Sequence, residues 1–190
     1  MLKEGFIDEW GGYTQLVKQL LDHPQIKVSL QSDFFALSDQ ERQSFDQIFY
    51  TGPLDRYFAY DLGHLEYRSL RFRFTRYQTS AKKPHYQLNS VINFPDAKVA
   101  FTRRIEYKWL NPPARPVQHT IVAREYPSSQ GEPYYPVPRP VNQRLAAAYL
   151  KRVKTLAQQQ IYFAGRLATY RYLNMDQAIA EALQLAKKVF

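Results

Sequence analysis

The stretch from Tyr50 to Phe74, YTGPLDRYFAYDLGHLEYRSLRFRF, limits what this chain can fold into more than any other segment. Ile48-Phe49-Tyr50 is a short apolar run closed by Gly52-Pro53, a pattern that predicts a strand ending in a tight turn. From Leu65 to Thr75 the residues alternate. Glu66, Arg68, Leu70, Phe72 and Phe74 therefore share one face of a predicted strand, and Tyr67, Ser69, Arg71 and Arg73 the other. The pattern puts Arg68 on the more apolar face, where a guanidinium needs an anion or a set of acceptors because an unpaired buried charge is costly. A ligand, the neighbouring Glu66 or a side chain that snorkels to water would each meet that need.

Further strands are predicted at Gln87–Phe94, Phe101–Trp109 and Thr120–Tyr126, with no helix-length pattern between them, which favours antiparallel pairing. In the Phe101 strand, Phe101, Arg103, Ile105, Tyr107 and Trp109 share a face, so Arg103 is a second arginine among apolar residues. Upstream, Leu16, Val17, Leu20 and Leu21 recur at helical spacing, and Ile26, Val28 and Leu30 alternate as a strand. Ser38 followed by Glu41 is a capping-box signature. The proline-rich runs 111–116 and 133–140 are expected to be extended loops. Leu145, Tyr149, Val153, Leu156 and Ala157 form one helical stripe, and Met175, Ile179, Ala182, Leu183 and Ala186 another. Ile161-Tyr162-Phe163-Ala164-Gly165 between them predicts a buried strand. The fold class expected is α+β, a mainly antiparallel β-sheet flanked by helices.

With 190 residues, 45% hydrophobic and 15% aromatic, the chain can bury a core. It has no cysteine, which excludes disulfides and thiolate chemistry. No apolar run approaches the ~18 residues of a membrane span and no signal-peptide core precedes the first helix, so no membrane partner and a cytoplasmic location are expected. The formal charge is +9. Arginines beside aromatic rings could serve a nucleic acid. Here the rings alternate along strands and suit core packing, and a phosphorylated small molecule explains the arginines equally well. There are seven glycines and no G-x-G-x-x-G turn that would bring a backbone up to a pyrophosphate.

The Tyr50–Phe74 stretch resembles the middle of the bacterial UDP-galactopyranose mutases. The resemblance continues in order through Val91-Ile92-Asn93-Phe94, Phe101-Thr102-Arg103-Arg104-Ile105-Glu106-Tyr107-Lys108, Glu125-Tyr126-Pro127, Gly131-Glu132-Pro133-Tyr134-Tyr135-Pro136 and Gly165-Arg166-Leu167-Ala168-Thr169-Tyr170-Arg171-Tyr172, to Met175-Asp176. It covers roughly Gly11 to Phe190 and about the C-terminal half of a family enzyme. In that family reduced FAD attacks the anomeric carbon of UDP-galactopyranose, UDP leaves, and the flavin-bound sugar opens and recloses as the furanose. The resemblance implies that Arg103 holds the substrate diphosphate, that Tyr135 and Tyr172 contact it, and that Asn93 and Arg68 line the pocket. Arg166 and position 174 would border the flavin. Asn174 stands where the family usually has aspartate, which preserves a helix cap and removes a charge. Taken alone, the two tyrosines read as core residues, and Arg166 as the partner of a nearby carboxylate.

The resemblance also implies elements of an incomplete nucleotide-binding, Rossmann-like domain. Residues 1–60 would supply parts of that domain, 61–128 the antiparallel sheet, and 129–190 a proline-rich loop with a strand and helices returning to the nucleotide-binding domain. The family's glycine turn and uridine-stacking residues would lie upstream of Gly11. The chain alone is therefore expected to bind no FAD, to be non-catalytic, and to take a UDP-galactose-type nucleotide sugar weakly. Its expected protein partner is the N-terminal mutase half or a second copy. The alternatives are a non-catalytic module for a nucleotide sugar or another anionic ligand, and a structural or nucleic-acid partner.

Overall fold

The computed structural model describes residues 12–110, 112–113 and 115–190. The expectations for Met1–Trp10, and for Asn111 and Ala114 of the proline-rich connection, fall outside the described residues. In chain order the elements are α1 (Gly12–Leu21), α2 (Asp39–Gln43), β1 (Ile48–Tyr50), α3 (Leu54–Tyr57), β2 (Tyr67–Gln78), β3 (Val91–Asn93), β4 (Arg103–Glu106), α4 (Tyr107–Leu110), β5 (His119–Ser128), β6 (Tyr135–Pro136), α5 (Pro140–Leu156), β7 (Ile161–Phe163), α6 (Gly165–Ala168) and α7 (Met175–Val189). The chain forms two compact units. A sheet unit comprises residues up to Phe34 together with Arg71–Pro127, and a helical unit comprises Phe35–Leu70 together with Ser128–Phe190.

In the sheet unit β3, β4 and β5 pair antiparallel, with Asn93 opposite Arg103 and Arg103 opposite Glu125, and β2 neighbours β5. Two buried charges tie the connections to this ladder. The Glu106 carboxylate, fully buried, accepts from the backbone N–H groups of Tyr86 (3.0 and 3.1 Å) and Gln87 (2.9 Å). Lys108, also buried, donates to the carbonyls of Pro84 (2.9 Å) and Val117 (3.0 Å). Buried ions persist only with such partners. They also explain two departures from the sequence pattern. The strand expected to reach Trp109 ends at Glu106, and Tyr107–Leu110 turns helical, which swings Lys108 onto those carbonyls and lets Trp109 Nε1 donate to the Gln87 carbonyl at 3.1 Å. The strand expected from Gln87 shrinks to Val91–Asn93, because the Gln87 amide instead closes the turn through the Asn89 and Ser90 carbonyls. Ile26, Val28 and Leu30 form no strand and are exposed, Leu30 by 82%.

The helical unit packs Leu54, Leu65, Ala146, Tyr149 and Tyr170 into one core. Tyr149 on α5 is completely buried, and its hydroxyl donates to the Gly63 carbonyl (2.8 Å) while accepting from the Leu62 N–H (3.0 Å), which clips the 62–63 turn to the helix. Strands β1 and β7 pair in parallel, with Ile48, Phe49 and Tyr50 opposite Ile161, Tyr162 and Phe163. The start of β2 pairs antiparallel with β6, so a two-residue strand forms inside the run expected to be wholly irregular. The face of β2 is also the reverse of the one expected. Tyr67 and Ser69 point inward, where Tyr67 meets Asp55 and packs edge-on against Tyr170 at 5.3 Å, and Arg68 is exposed. A similar inversion occurs on α7. Met175, Ile179 and Leu183 are more than half exposed, and Ala178, Glu181, Leu185, Ala186 and Val189 form the more covered side. Asn174 caps α7 through a capping box, its N–H donating to Gln177 Oε1 at 2.8 Å. The capping box expected at Ser38 and Glu41 is likewise present. Among the described residues no helix is long and apolar enough to cross a membrane.

Candidate functional site

Five of the seven residues singled out from the sequence lie in the helical unit. Gly165 adopts φ +84, a left-handed angle that glycine takes without strain and that lets the chain turn from β7 into α6. The turn delivers Arg166. Its Nε donates to the Leu173 carbonyl at 3.1 Å, Nη2 bonds the same oxygen, and Nη1 reaches the Tyr134 carbonyl at 3.4 Å. The guanidinium carbon also lies 4.7 Å from the centre of the Tyr135 ring and 4.8 Å from that of Tyr172. Those two rings are nearly parallel, 13° apart in plane, with centres 5.8 Å apart. Arg68 is directly opposite Tyr135 in the β2–β6 pair, and Asn174 follows the Leu173 carbonyl that Arg166 holds.

The neighbouring backbone fixes this group. Tyr170, at φ +49, donates from its hydroxyl to the Glu66 carbonyl at 2.7 Å and accepts from the Val137 N–H at 3.3 Å. Burial pushes its phenol up from the ordinary range, so it stays protonated and able to donate. Among the described residues Arg166 pairs with carbonyls and not with a carboxylate, and its planar fork sets the loop that presents Tyr172, 64% exposed.

Arg103 and Asn93 lie in the sheet unit, in one cross-strand row with Glu125. Arg103 Nε donates to Asn93 Oδ1 at 3.2 Å, and its Nη1 lies 3.6 Å from Glu125 Oε2. The Arg103 side chain is 42% exposed, against 8% for that of Glu125. The apolar strand face expected around Arg103 is shortened because the helical turn at Tyr107 removes Tyr107 and Trp109 from the strand. Nη2 of this half-open guanidinium has no hydrogen-bond partner among the described residues and can meet an anion. Arg104 points to the other face, donates to Gln87 Oε1 at 2.7 Å and lies over the Tyr86 and Phe94 rings.

Among the described residues no glycine-rich turn forms a cradle for a dinucleotide. Gly52, which follows β1, is required by the ring of Tyr50, since a Cβ there would lie 2.6 Å from the Tyr50 hydroxyl. At Gly165 a Cβ would meet nothing within 4 Å, and three of the five N–H donors of the adjacent Arg166 go to the Leu173 and Tyr134 carbonyls. Among the described residues no cluster of three or more histidine, aspartate or glutamate side chains could hold a metal ion.

Sequence reasoning missed the buried polar anchors Asp55, Glu106 and Lys108. A charged residue inside a strand or turn pattern does not by itself disclose that main-chain groups from a distant segment will satisfy it.

A family model described as UDP-galactopyranose mutase matches residues 9–172. A probable UDP-galactopyranose mutase of Klebsiella pneumoniae is 36% identical over 178 residues, covering 92% of this chain and 44% of the relative. The UDP-galactopyranose mutase of Mycoplasma pneumoniae is also 36% identical, over 94% of this chain and 47% of the relative. A dTDP-fucopyranose mutase of Escherichia coli is 31% identical over 93% and 46%. The crystal structure of a reduced UDP-galactopyranose mutase shares the fold, with a TM-score of 0.59 at 18% identity over 76% of this chain and 42% of that one. The chain thus spans less than half the length of these relatives.

Proposed function

The chain belongs to the UDP-galactopyranose mutase family, and from that premise we propose that it is the portion of a nucleotide-sugar mutase that grips the substrate's diphosphate and borders the flavin without holding it alone. The observation that carries this reading is the grouping of Tyr135 with Arg166 and Tyr172 of a separate segment, whose guanidinium and rings lie within 4.7 to 5.8 Å of one another. Arg103 supplies the diphosphate contact, positioned by Asn93 and Glu125. Tyr135 and Tyr172 offer hydroxyls to the substrate, with Arg68 at the same strand position as Tyr135. Arg166 and Asn174 face the cofactor side, where Arg166 acts as a fixed cation in a loop it also braces. In a complete family enzyme FAD would supply the covalent chemistry at the sugar, and these residues would supply binding and orientation.

The substrate class is a nucleoside-diphosphate hexose, UDP-galactose in the first instance. The relatives' names span two nucleobases and two sugars, which suits a portion that reads the shared diphosphate and leaves the base to the remaining length. The test is a phosphorus NMR titration of the chain with UDP beside a proton NMR titration with uridine. Saturable shifts of both UDP phosphorus signals, with no binding of uridine, are expected. Equal binding of the two, or tighter and steeply salt-dependent binding of an oligonucleotide, would overturn the proposal.

A further inference from the structure

The turn between α3 and β2 is held in a strained form. Ala59 and Tyr60 are consecutive non-glycine residues with left-handed backbone angles, φ +50 and +61. Side chains adopt that region unwillingly, and such strain collects where a position serves a ligand. Here it fixes the Tyr60 ring flat on the His64 imidazole, with centres 4.2 Å apart and planes 27° apart. Both residues line a cleft of about 360 Å³ in the helical unit.

Asp55 lines the same cleft and is only 2% exposed. Its Oδ2 accepts from the Leu65 N–H at 2.8 Å and its Oδ1 from the Tyr67 hydroxyl at 3.2 Å. A carboxylate has about four acceptor positions, so these bonds leave capacity for a ligand hydroxyl. Burial and the Asp55 charge push the Tyr67 phenol far up, which keeps it a neutral donor. Ser69 and Arg56 add a hydroxyl and cationic N–H groups to the lining. Gly131 closes the wall, since a Cβ there would come within 2.7 Å of Ser69 Oγ.

We infer that this cleft binds a single neutral hexose ring that carries no nucleotide. The exposed aromatic pair offers a flat surface for the C–H face of a sugar, and the carboxylate, hydroxyl and guanidinium match its hydroxyl groups as acceptors and donors. The presence of both an anionic and a cationic side chain favours a neutral polyol over a phosphate. The volume is at the lower end of the ~300–1,000 Å³ usual for small-molecule pockets, which suits one ring better than a nucleotide sugar. The cleft shares no residue with the Arg103 row or the Arg166 group, so this inference does not depend on the mutase reading.

The test is titration of the whole chain with methyl galactopyranoside, followed by saturation-transfer and amide-shift NMR. The parent is expected to show saturable shifts centred on Tyr60, His64 and Leu65. Tyr60→Gly removes the aromatic surface and releases the backbone strain, so it should fold with unchanged or raised Tm while binding weakens about tenfold or more. His64→Ala should weaken binding with an unchanged fold. Absence of saturable shifts in the parent, or equal affinity in Tyr60→Gly, would overturn the inference, and so would UDP perturbing these residues more strongly than the galactoside.

Discussion

Replacing Arg166 with lysine keeps the charge and removes the fork. In the parent, Nε and Nη2 share the Leu173 carbonyl, Nη1 reaches the Tyr134 carbonyl, and the guanidinium lies over two tyrosine rings. A hydrogen bond from a charged donor contributes roughly 1.5–3 kcal/mol when well formed, and a partly exposed cation–ring contact roughly 0.5–1. Lysine can retain one bond to Leu173 and one ring contact. The half-buried setting and the long 3.4 Å bond to Tyr134 reduce what remains, so the expected loss is about 2 kcal/mol, with Arg166→Met losing about 1 kcal/mol more. The effect should be local, because the held carbonyl immediately precedes the Asn174 cap of α7. Trp109 is in the sheet unit and is a poor reporter here, so the assay is hydrogen exchange resolved to peptides. Amides at the start of α7 should lose protection by the equivalent of that energy, and those of β4 and β5 should not change. Unaltered α7 protection in Arg166→Lys, with stability within about 0.5 kcal/mol of the parent, would refute the claim that this fork organises the loop bearing Tyr172.

Tyr149→Phe leaves the Leu62 N–H and Gly63 carbonyl without their partner and is expected to destabilise the helical unit by about 1–3 kcal/mol, read from urea titration followed by exchange at the 58–65 turn. The Tyr67 and Tyr170 phenols are raised above their unfolded value, so the stability they confer is complete below pH about 10 and is lost as pH rises past it, by up to about 1.4 kcal/mol per unit for each. Urea midpoints across that range should fall, and Tyr67→Phe should flatten the fall. Met175, Ile179 and Leu183 form an apolar stripe more than half exposed, so the chain is expected to self-associate with concentration, and Ile179→Glu with Leu183→Glu to shift light scattering towards the monomer. The purified chain is expected to carry no flavin absorbance and to show no isomerisation of UDP-galactofuranose with added FAD and dithionite. Turnover above the buffer control would mean that a different part of the family enzyme is sufficient.

The antiparallel sheet, the parallel β1–β7 pair's strands and both long C-terminal helices were legible because each rests on a local pattern of period two or 3.6. Which face turned inward was not. On β2 the apolar count favours Phe72 and Phe74, yet Tyr67 is drawn in because Asp55 waits for its hydroxyl. On α7 Met175, Ile179 and Leu183 point outward while Leu185 and Val189 are more covered, a choice that the sequence of the helix alone does not contain. The strand at Phe101 was overextended because its alternation continues through Tyr107 and Trp109. The buried partners of Lys108 and Glu106, which bend the chain there, come from residues 84–87 and 117. The candidate site was found through the order of motifs. The strained Ala59-Tyr60 turn and the cleft it borders gave no sequence signal beyond Gly63.

The most direct test of the diphosphate role is titration of UDP into the parent, Arg103→Ala and Arg104→Ala proteins, each first shown to be folded by exchange and circular dichroism. Arg103 has a half-open guanidinium held by Asn93 and Glu125, and Arg104 is turned to the opposite face onto Gln87 and two rings. Losing a charge-assisted contact should weaken UDP by about tenfold or more in Arg103→Ala, with Arg104→Ala close to the parent. Equal losses in both variants, or no binding of UDP by the parent, would contradict the account.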